Sequence, residues 1–374
     1  MVEWKKLGEV EDSGILTLGR GQVISKIDMN DCPGDFPVYS SSSQNNGEIG
    51  RYGKYMFDDE RITWSIDGGG KLFYRNGLKY SVTNVCGWLK VNDGNKLNTK
   101  FLYYLLFEEW TNIIFDYNHK AHPSVIRNEY QIPIIPLEEQ TRIVGILDTF
   151  TFAIDNLKEQ IAQRRKQYEY YRDQLLDLEG KEDKDIHSWG EFCKMEKGNG
   201  VQKADFVEEG IGCIHYGQIY THYGPYTYET NKYVSKETFE KAKKASKGDI
   251  IMTDTSENVE DICKSVAWLG EEDIAVSNHA LIIKHSQDPK FLSFSTETNS
   301  FFNQKRKVVV GVKVSGIKPE HLAQIKIYLP SLQEQRRIVS ILDTFEASIQ
   351  NLEAQLKERE KQYEYYRNKL LTFE

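Results

Sequence analysis

The sequence predicts an α+β protein in which two globular segments of mixed α/β structure are each followed by a long helix, and the two helices pair. Three observations carry that reading. Leu137–Glu179 recurs as Leu332–Glu374 at a constant offset of about 195 residues, without a gap and with roughly 26 of 43 residues kept. Within each copy the apolar residues alternate steps of four and three: Ile143, Leu147, Phe150, Ile154, Leu157, Ile161, Tyr168, Tyr171, Leu175 and Leu178, repeated as Ile338, Leu342, Phe345, Ile349, Leu352, Leu356, Tyr363, Tyr366, Leu370 and Phe373. The segment before each copy is broken by turn residues into short apolar runs.

A stripe of period 3.5 held for about five heptads leaves a lone helix with an apolar face in water. Each helix therefore needs a partner, and the other copy is available. No proline or glycine follows Gly145 in the first copy or Pro330 in the second. Each helix can therefore run about 36 residues, or roughly 54 Å. Arg164 and Arg359 fall on the stripe, where they either fix register as charged seam residues or snorkel to water.

The chain divides into residues 1–136 (first globular segment), 137–179 (first helix), 180–188 (a charged, solvated linker opening on Gly180), 189–330 (second globular segment) and 331–374 (second helix). In the first segment Leu72-Phe73-Tyr74 reads as part of a hairpin, Phe101–Trp110 as a helix, and Tyr130–Pro136 as a short strand whose prolines stop the chain before the long helix. The second segment echoes the first at its ends, with Gly198-Asn199-Gly200 recurring after Gly19-Arg20-Gly21 and Gln324–Pro330 after Gln131–Pro136. Between those marks the two scarcely resemble each other. The run Lys241–Lys247 reads as a solvated helix face.

With 374 residues, 28% of them charged and 39% hydrophobic, and a mean hydropathy of −0.57, the chain has the composition of a soluble multidomain protein. No run approaches the roughly 18 apolar residues of a membrane span, and Met-Val-Glu-Trp-Lys-Lys lacks a signal-peptide core, so a cytoplasmic location is expected. Cys32, Cys86, Cys193, Cys213 and Cys263 are widely spaced with no Cys-x-x-Cys pair, which predicts reduced, mostly buried thiols. The net charge of −8 is a weak guide to partners, because binding answers to the potential of one face.

No catalytic constellation stands out. The chain has neither an Asn/Asp-Pro-Pro-aromatic motif nor a Gly-x-x-x-x-Gly-Lys-Ser/Thr loop. Gly68-Gly69-Gly70-Lys71 reads as a hairpin tip, with contact to DNA backbone as its functional alternative. His119-x-x-His122 has no third ligand in view, so no metal is expected.

Each globular segment closes on a proline followed by an x-x-Glu-Gln-x-Arg-Ile-Val helix start: Leu137-Glu138-Glu139-Gln140-Thr141-Arg142-Ile143-Val144, and Leu332-Gln333-Glu334-Gln335-Arg336-Arg337-Ile338-Val339. With Lys203-Ala204-Asp205-Phe206, Lys247-Gly248-Asp249-Ile250-Ile251 and Ile317–Leu322, this arrangement resembles the DNA specificity subunit of type I restriction-modification systems across essentially the whole chain. The resemblance implies two target-recognition domains, each reading one half of a split, asymmetric target in double-stranded DNA. It implies that the long helices pair antiparallel, which generates a pseudo-two-fold axis; with complete overlap, Ile161 and Leu356 lie near that axis. It also implies a non-catalytic chain that binds two methyltransferase subunits and that restriction subunits can join, with S-adenosylmethionine and ATP on those partners.

Basic residues interleaved with amides, hydroxyls and glycines in loops are the chemistry of DNA contact. In the first domain these are Ser41 to Asn46 (Ser41, Asn45 and Asn46 above all), Lys71, Arg75, Asn76, Lys120 and Ser124; in the second, Gln218, His222, Thr253, Thr255, Ser256, Asn258, Asn278, Lys305 and Arg306. In Tyr168–Arg172 and its copy, Tyr170 and Tyr365 point outward for a partner protein, with Arg172 and Arg367 beside them. The rival reading is a coiled-coil scaffold whose heads bind proteins.

Overall fold

The structure is a computed structural model and describes residues 2–42, 44–116, 118–309 and 315–373. It forms two compact units: Met1–Leu157 with Gln355–Glu374, and Lys158–Ala354. Each unit holds one globular head, the first part of the helix that follows it, and the last part of the other long helix.

In the first unit, strands Leu16–Arg20, Cys86–Val91, Arg61–Ser65 and Leu72–Arg75 form an antiparallel sheet in that spatial order. A second sheet sets Phe36–Tyr39 between Glu48–Tyr52 and Ser81–Val82, the latter parallel. Glu3–Lys6 pairs with Gln131–Ile134, tying the start of the head to the strand before the long helix. Helix Thr99–Asn112 begins where the Asn98 side chain accepts from the N–H groups of Lys100 and Phe101. Its Phe101, Leu102, Leu105 and Leu106 pack into a core with Leu7, Ile62, Trp64 and Leu89. Side chains of this kind contribute about 1.5–3 kcal/mol each when fully buried.

The second unit repeats that framework. Cys193–Lys197, Ala280–His285, Ile250–Thr253 and Ser265–Trp268 form an antiparallel sheet in the corresponding order, extended by Tyr226–Thr227. Ile211–Ile214 runs parallel to Ile274–Val276, as Phe36–Tyr39 does to Ser81–Val82. Single hydrogen bonds match as well. Gly21 N–H donates to Cys86 O at 3.1 Å and Gly198 N–H to Ala280 O at 2.9 Å; Ile66 N–H donates to Val85 O at 3.0 Å and Asp254 N–H to His279 O at 3.1 Å. The heads thus share more than their ends: their interiors differ in residue but not in plan, since many apolar residues fill one pattern of buried positions. The counterpart of Gly198 is Gly21. A Cβ on Gly21 would lie 2.0 Å from Val82 O, and one on Gly198 would lie 2.3 Å from Ser277 O, so both sites require glycine.

The long helices span Leu137–Leu176 and Leu332–Leu371, 40 residues each. Within the first unit their segments run antiparallel: Phe150 packs on Tyr366 at 5.3 Å, while Ile143 and Leu147 share the core with Leu370, Leu371 and Phe373. Within the second, Tyr171 stacks on Phe345 at 5.4 Å and Arg165 pairs with Glu353, again antiparallel. The stripe arginines snorkel along their own helices, Arg164 to Gln167 and Arg359 to Gln362.

Each helix is fastened to its head by two polar residues of the repeat. Buried Gln140 accepts from Asn98 N–H at 2.8 Å and donates to the carbonyls of Lys96 and Ile135; its copy Gln335 accepts from Asp288 N–H at 3.0 Å and donates to Gln287 Oε1 and Pro330 O. Asp148 pairs with Lys100, and its copy Asp343 with Lys290, both at 2.8 Å.

Two sequence readings are corrected. Lys243–Ala245 is a strand with Ala245 fully buried, because it pairs antiparallel with Ile274–Val276 at the sheet edge instead of continuing the helix that ends at Lys241. The segment read as linker contains Ile186–Ser188, a strand paired with Lys326–Tyr328.

Candidate nucleic-acid interface

In the first head, three loops meet at the ends of strands. One links Phe36–Tyr39 to Glu48–Tyr52, one links Arg61–Ser65 to Leu72–Arg75, and one follows Ser81–Val82. Ser41 joins all three: its Oγ donates to Val85 O and accepts from Asp67 N–H at 3.2 Å, and its carbonyl accepts from Ser65 Oγ at 2.9 Å. The four-residue tip is Gln44-Asn45-Asn46-Gly47; Ser43 lies outside the described residues. Lys120 pairs with Asp67 at 2.9 Å, which brings it to the second loop, where Lys71 also lies. The glycine tip packs inward: a Cβ on Gly68 would lie 2.1 Å from Ser41 O, and Gly69 O accepts from Trp110 Nε1 at 2.7 Å.

The equivalent loops of the second head surround a cleft of about 450 Å³, walled by Tyr216, Tyr220, Thr255, Ser256, Asn258 and His279, with Glu257 and Asp261. Thr255 Oγ1 lies 3.2 Å from His279 Nδ1, and His279 holds a left-handed backbone, φ 64°. Lys197 pairs with buried Asp254 at 3.0 Å behind this loop. Burial holds His215, beside Tyr216, below the usual imidazole range. Tyr216, Tyr220 and His279 carry no local mark in the sequence that sets them apart from core aromatics. The signal for them is Val276-Ser277-Asn278-His279, which follows Val82-Thr83-Asn84-Val85 once the strands are superposed in order.

The expected DNA residues therefore sort by burial. Asn45, Asn46, Asn76, Lys120, Ser124, His222, Asn258, Asn278 and Arg306 are exposed, and Ser41, Lys71, Gln218 and Thr255 are half-buried. Ser124 stands at the start of helix Pro123–Glu129 with its Oγ 2.8 Å from His122 Nδ1. Gln218 closes a cap, accepting from His215 N–H at 2.8 Å. Asn76 bonds Tyr74, on the strand that ends the hairpin away from Gly68–Gly70.

Arg75, Thr253 and Lys305 are corrected. Arg75 is 5% exposed, stacked on Tyr39 at 3.5 Å, and donates to Thr63 Oγ1 and Asn46 O. Lys305 is 4% exposed and donates to the carbonyls of Glu260 and Ile262 at 2.8 and 2.7 Å. Thr253 is fully buried in the central strand, and Ser256 is nearly so at the cleft wall. A buried cation needs oxygen partners, and in both heads loop carbonyls supply them, so these cations hold surface loops from behind instead of standing free at the surface.

Arg172 and Arg367 are corrected as free partner contacts too. Each docks the end of a long helix on a head, Arg172 on Glu297 at 3.5 Å, while also pairing with Asp173 of its own helix at 3.0 Å, and Arg367 on Glu108 at 2.7 Å. Tyr170 and Tyr365 point outward, 61% and 60% exposed. His119 stacks on Phe115 at 5.3 Å and His122 caps a helix, so each has a structural task. Among the described residues no group of three or more His, Cys, Asp or Glu could hold a metal ion.

The sequence profile of the type I restriction modification DNA specificity domain matches residues 1–164 and again 181–360. The chain belongs to the type I restriction-modification specificity family. A protein of Mycoplasma pneumoniae named as a type I specificity subunit is 27% identical over 376 residues, covering 96% of each chain. Another, of Haemophilus influenzae, is 28% identical over 403 residues, covering all of this chain and 96% of its own. The solved S subunit of M. genitalium has the same fold, with a TM-score of 0.63 at 15% identity over 100% of this chain and 97% of its own. Each profile match contains one head, so the repeated sheet framework is a repeated specificity domain, and the role of this specificity subunit is DNA sequence specificity. Nothing in the fold or the relatives favours the scaffold reading. No helix among the described residues is long and apolar enough to cross a membrane.

Proposed function

We propose that this specificity subunit reads a split, asymmetric sequence in double-stranded DNA, one half-site per head, and brings two methyltransferase subunits to it, with restriction subunits where those are present. One observation carries the reading: two copies of one sheet framework bear unlike side chains on equivalent loops, a glycine tip and an asparagine turn in one head and a tyrosine-histidine cleft in the other. A shared scaffold suits a shared task, and unlike loops suit unlike texts. The exposed and half-buried loop residues, Asn45, Asn46, Lys71 and Lys120 in the first head and Thr255, Asn258, Asn278 and Arg306 in the second, supply donors and acceptors for phosphates and base edges.

The two 40-residue helices act as the spacer between half-sites, and Tyr170 and Tyr365 are contacts for methyltransferase. S-adenosylmethionine and ATP belong to the partner subunits, and this chain breaks no bond itself.

The test is modification mapping of genomic DNA from cells carrying this chain with its methyltransferase. A split motif with one fixed gap is expected, and one heptad added to both helices should change the gap and leave the half-sites alone. A continuous motif would reject the reading, and methylation or cleavage by the purified chain alone would reject its non-catalytic part.

A further inference from the structure

The turn at Asn45–Gly47 holds three consecutive left-handed residues, with φ of 47°, 53° and 80°. Glycine adopts this backbone without strain, as Gly47 does; an asparagine there costs more than glycine would, although it tolerates the region better than most side chains. The chain uses asparagine twice. Both side chains are exposed, and the Asn46 amide makes no hydrogen bond to any described residue, while Asn45 Nδ2 reaches only Glu48 O at 3.5 Å. So the Asn46 amide does nothing for the turn that carries it.

The turn itself is fixed on every side. Ser40 N–H donates to Gly47 O at 2.9 Å, closing its base. Ser41 ties its start to Asp67 and Val85. Arg75 holds its tip from beneath: Nη2 donates to Asn46 O at 2.5 Å, Nε donates to Thr63 Oγ1 at 3.1 Å, and the guanidinium lies 3.5 Å from the Tyr39 ring centroid and 4.8 Å from that of Phe73. A buried, stacked arginine bonded to the carbonyl of the residue whose own side chain stands in solvent is a positioning device. It fixes the backbone from which the Asn46 amide projects before any ligand arrives.

We propose that Asn46 reads one adenine in the half-site of the first head, its amide accepting from N6 and donating to N7 in the major groove, and that Arg75 is the positioning residue for that contact. This rests on the proposed function above. A preset backbone leaves only the side-chain torsions to be ordered on binding, and a good bidentate pair discriminates against the wrong base by roughly 5- to 150-fold.

The experiment maps methylated motifs for the complex of full chain and methyltransferase, with wild type, Asn46→Gly, Arg75→Lys and Arg75→Met. Asn46→Gly keeps the left-handed backbone and removes only the amide. It should leave the thermal midpoint at or above that of wild type, relax one adenine position of one half-site, and leave the other half-site and the gap unchanged. Arg75→Met should relax the same position, and Arg75→Lys, which keeps a donor for Asn46 O, should restore part of the preference. If the wild-type complex yields no split motif, the proposed function fails. If wild type yields one and Asn46→Gly reproduces it base for base, or relaxes a base other than adenine, this inference fails alone. Arg75 variants that lower the thermal midpoint but keep the motif overturn the positioning role, and Asn46→Gly decides the contact even where Arg75→Met does not fold.

Discussion

Gln140 Oε1 accepts the backbone N–H of Asn98 at 2.8 Å, so the first side chain of the long helix to be buried also caps the geometry of the head helix beginning at Thr99. Gln335 repeats the act on Asp288 N–H at 3.0 Å. The Glu-Gln-x-x-Ile-Val start is thus a fastening as much as a helix signal: the glutamine satisfies polar groups of the segments that connect the head's strands and helices.

Gln140→Ala and Gln335→Ala should each lower unfolding free energy by about 3 kcal/mol, since each removes three hydrogen bonds and strands buried partners. Urea denaturation of the full chain measures it. The Met variants keep the volume and should be destabilised nearly as much; a Met variant as stable as wild type would assign the effect to packing instead.

Neighbouring residues in one helix should behave oppositely. Lys305→Met strands the carbonyls of Glu260 and Ile262 and should destabilise the second head by about 2 kcal/mol. Arg306→Ala, at an exposed site, should leave stability within about 0.5 kcal/mol and weaken DNA binding by the complex, reducing the slope of log affinity against log salt by about one. Salt titration of binding, beside urea curves, separates the two.

Thiol chemistry should follow burial. Cys86, Cys193, Cys213 and Cys263 have thiol pKa values pushed up to about 12 by desolvation, which keeps them protonated near neutrality. Native labelling with a maleimide at pH 7.5 should therefore be confined to Cys32, and unfolding should expose all five. Rapid native labelling of Cys263 would contradict the packing of the second head.

Acid should destabilise the second head through His285. Its Nδ1 accepts from Gln287 N–H at 3.1 Å, its Nε2 is buried with no hydrogen-bond partner among the described residues, and burial lowers its pKa below the ordinary 6.5. The unfolded chain thus binds the proton more readily, so this contribution is complete above about pH 6.5 and is lost as pH falls through the lower folded value. The urea midpoint should drop between pH 7.5 and 5.5, and His285→Gln should shrink that drop. An unchanged drop would place the acid sensitivity elsewhere, with buried His215 next to be tested.

Much of the candidate interface was legible as loop composition, and its errors share one cause. Arg75 and Lys305 look like surface cations because charge usually marks exposure, yet each follows an apolar strand or helix face and turns inward. Tyr216, Tyr220 and His279 went unnoticed because nothing local distinguishes a cleft wall from a core aromatic. They come together only when Ile211–Ile214 lies beside Ile274–Val276. Lys243–Ala245 reads as helix because three residues are too few to separate a period of 2 from one of 3.6.

The sequence by itself determined the duplication, the two long helices and their need for partners, because a heptad stripe and its exact repetition are written in neighbouring residues and need no distant contact to be read. Only the tertiary structure decided that two dissimilar interiors share one sheet framework, that Gly198 answers to Gly21, and that two buried cations hold loops they were expected to accompany to DNA. Those facts depend on which strand lies beside which and on whether a charge finds carbonyls inside the fold, and such pairings between residues far apart in the chain leave no local period to read.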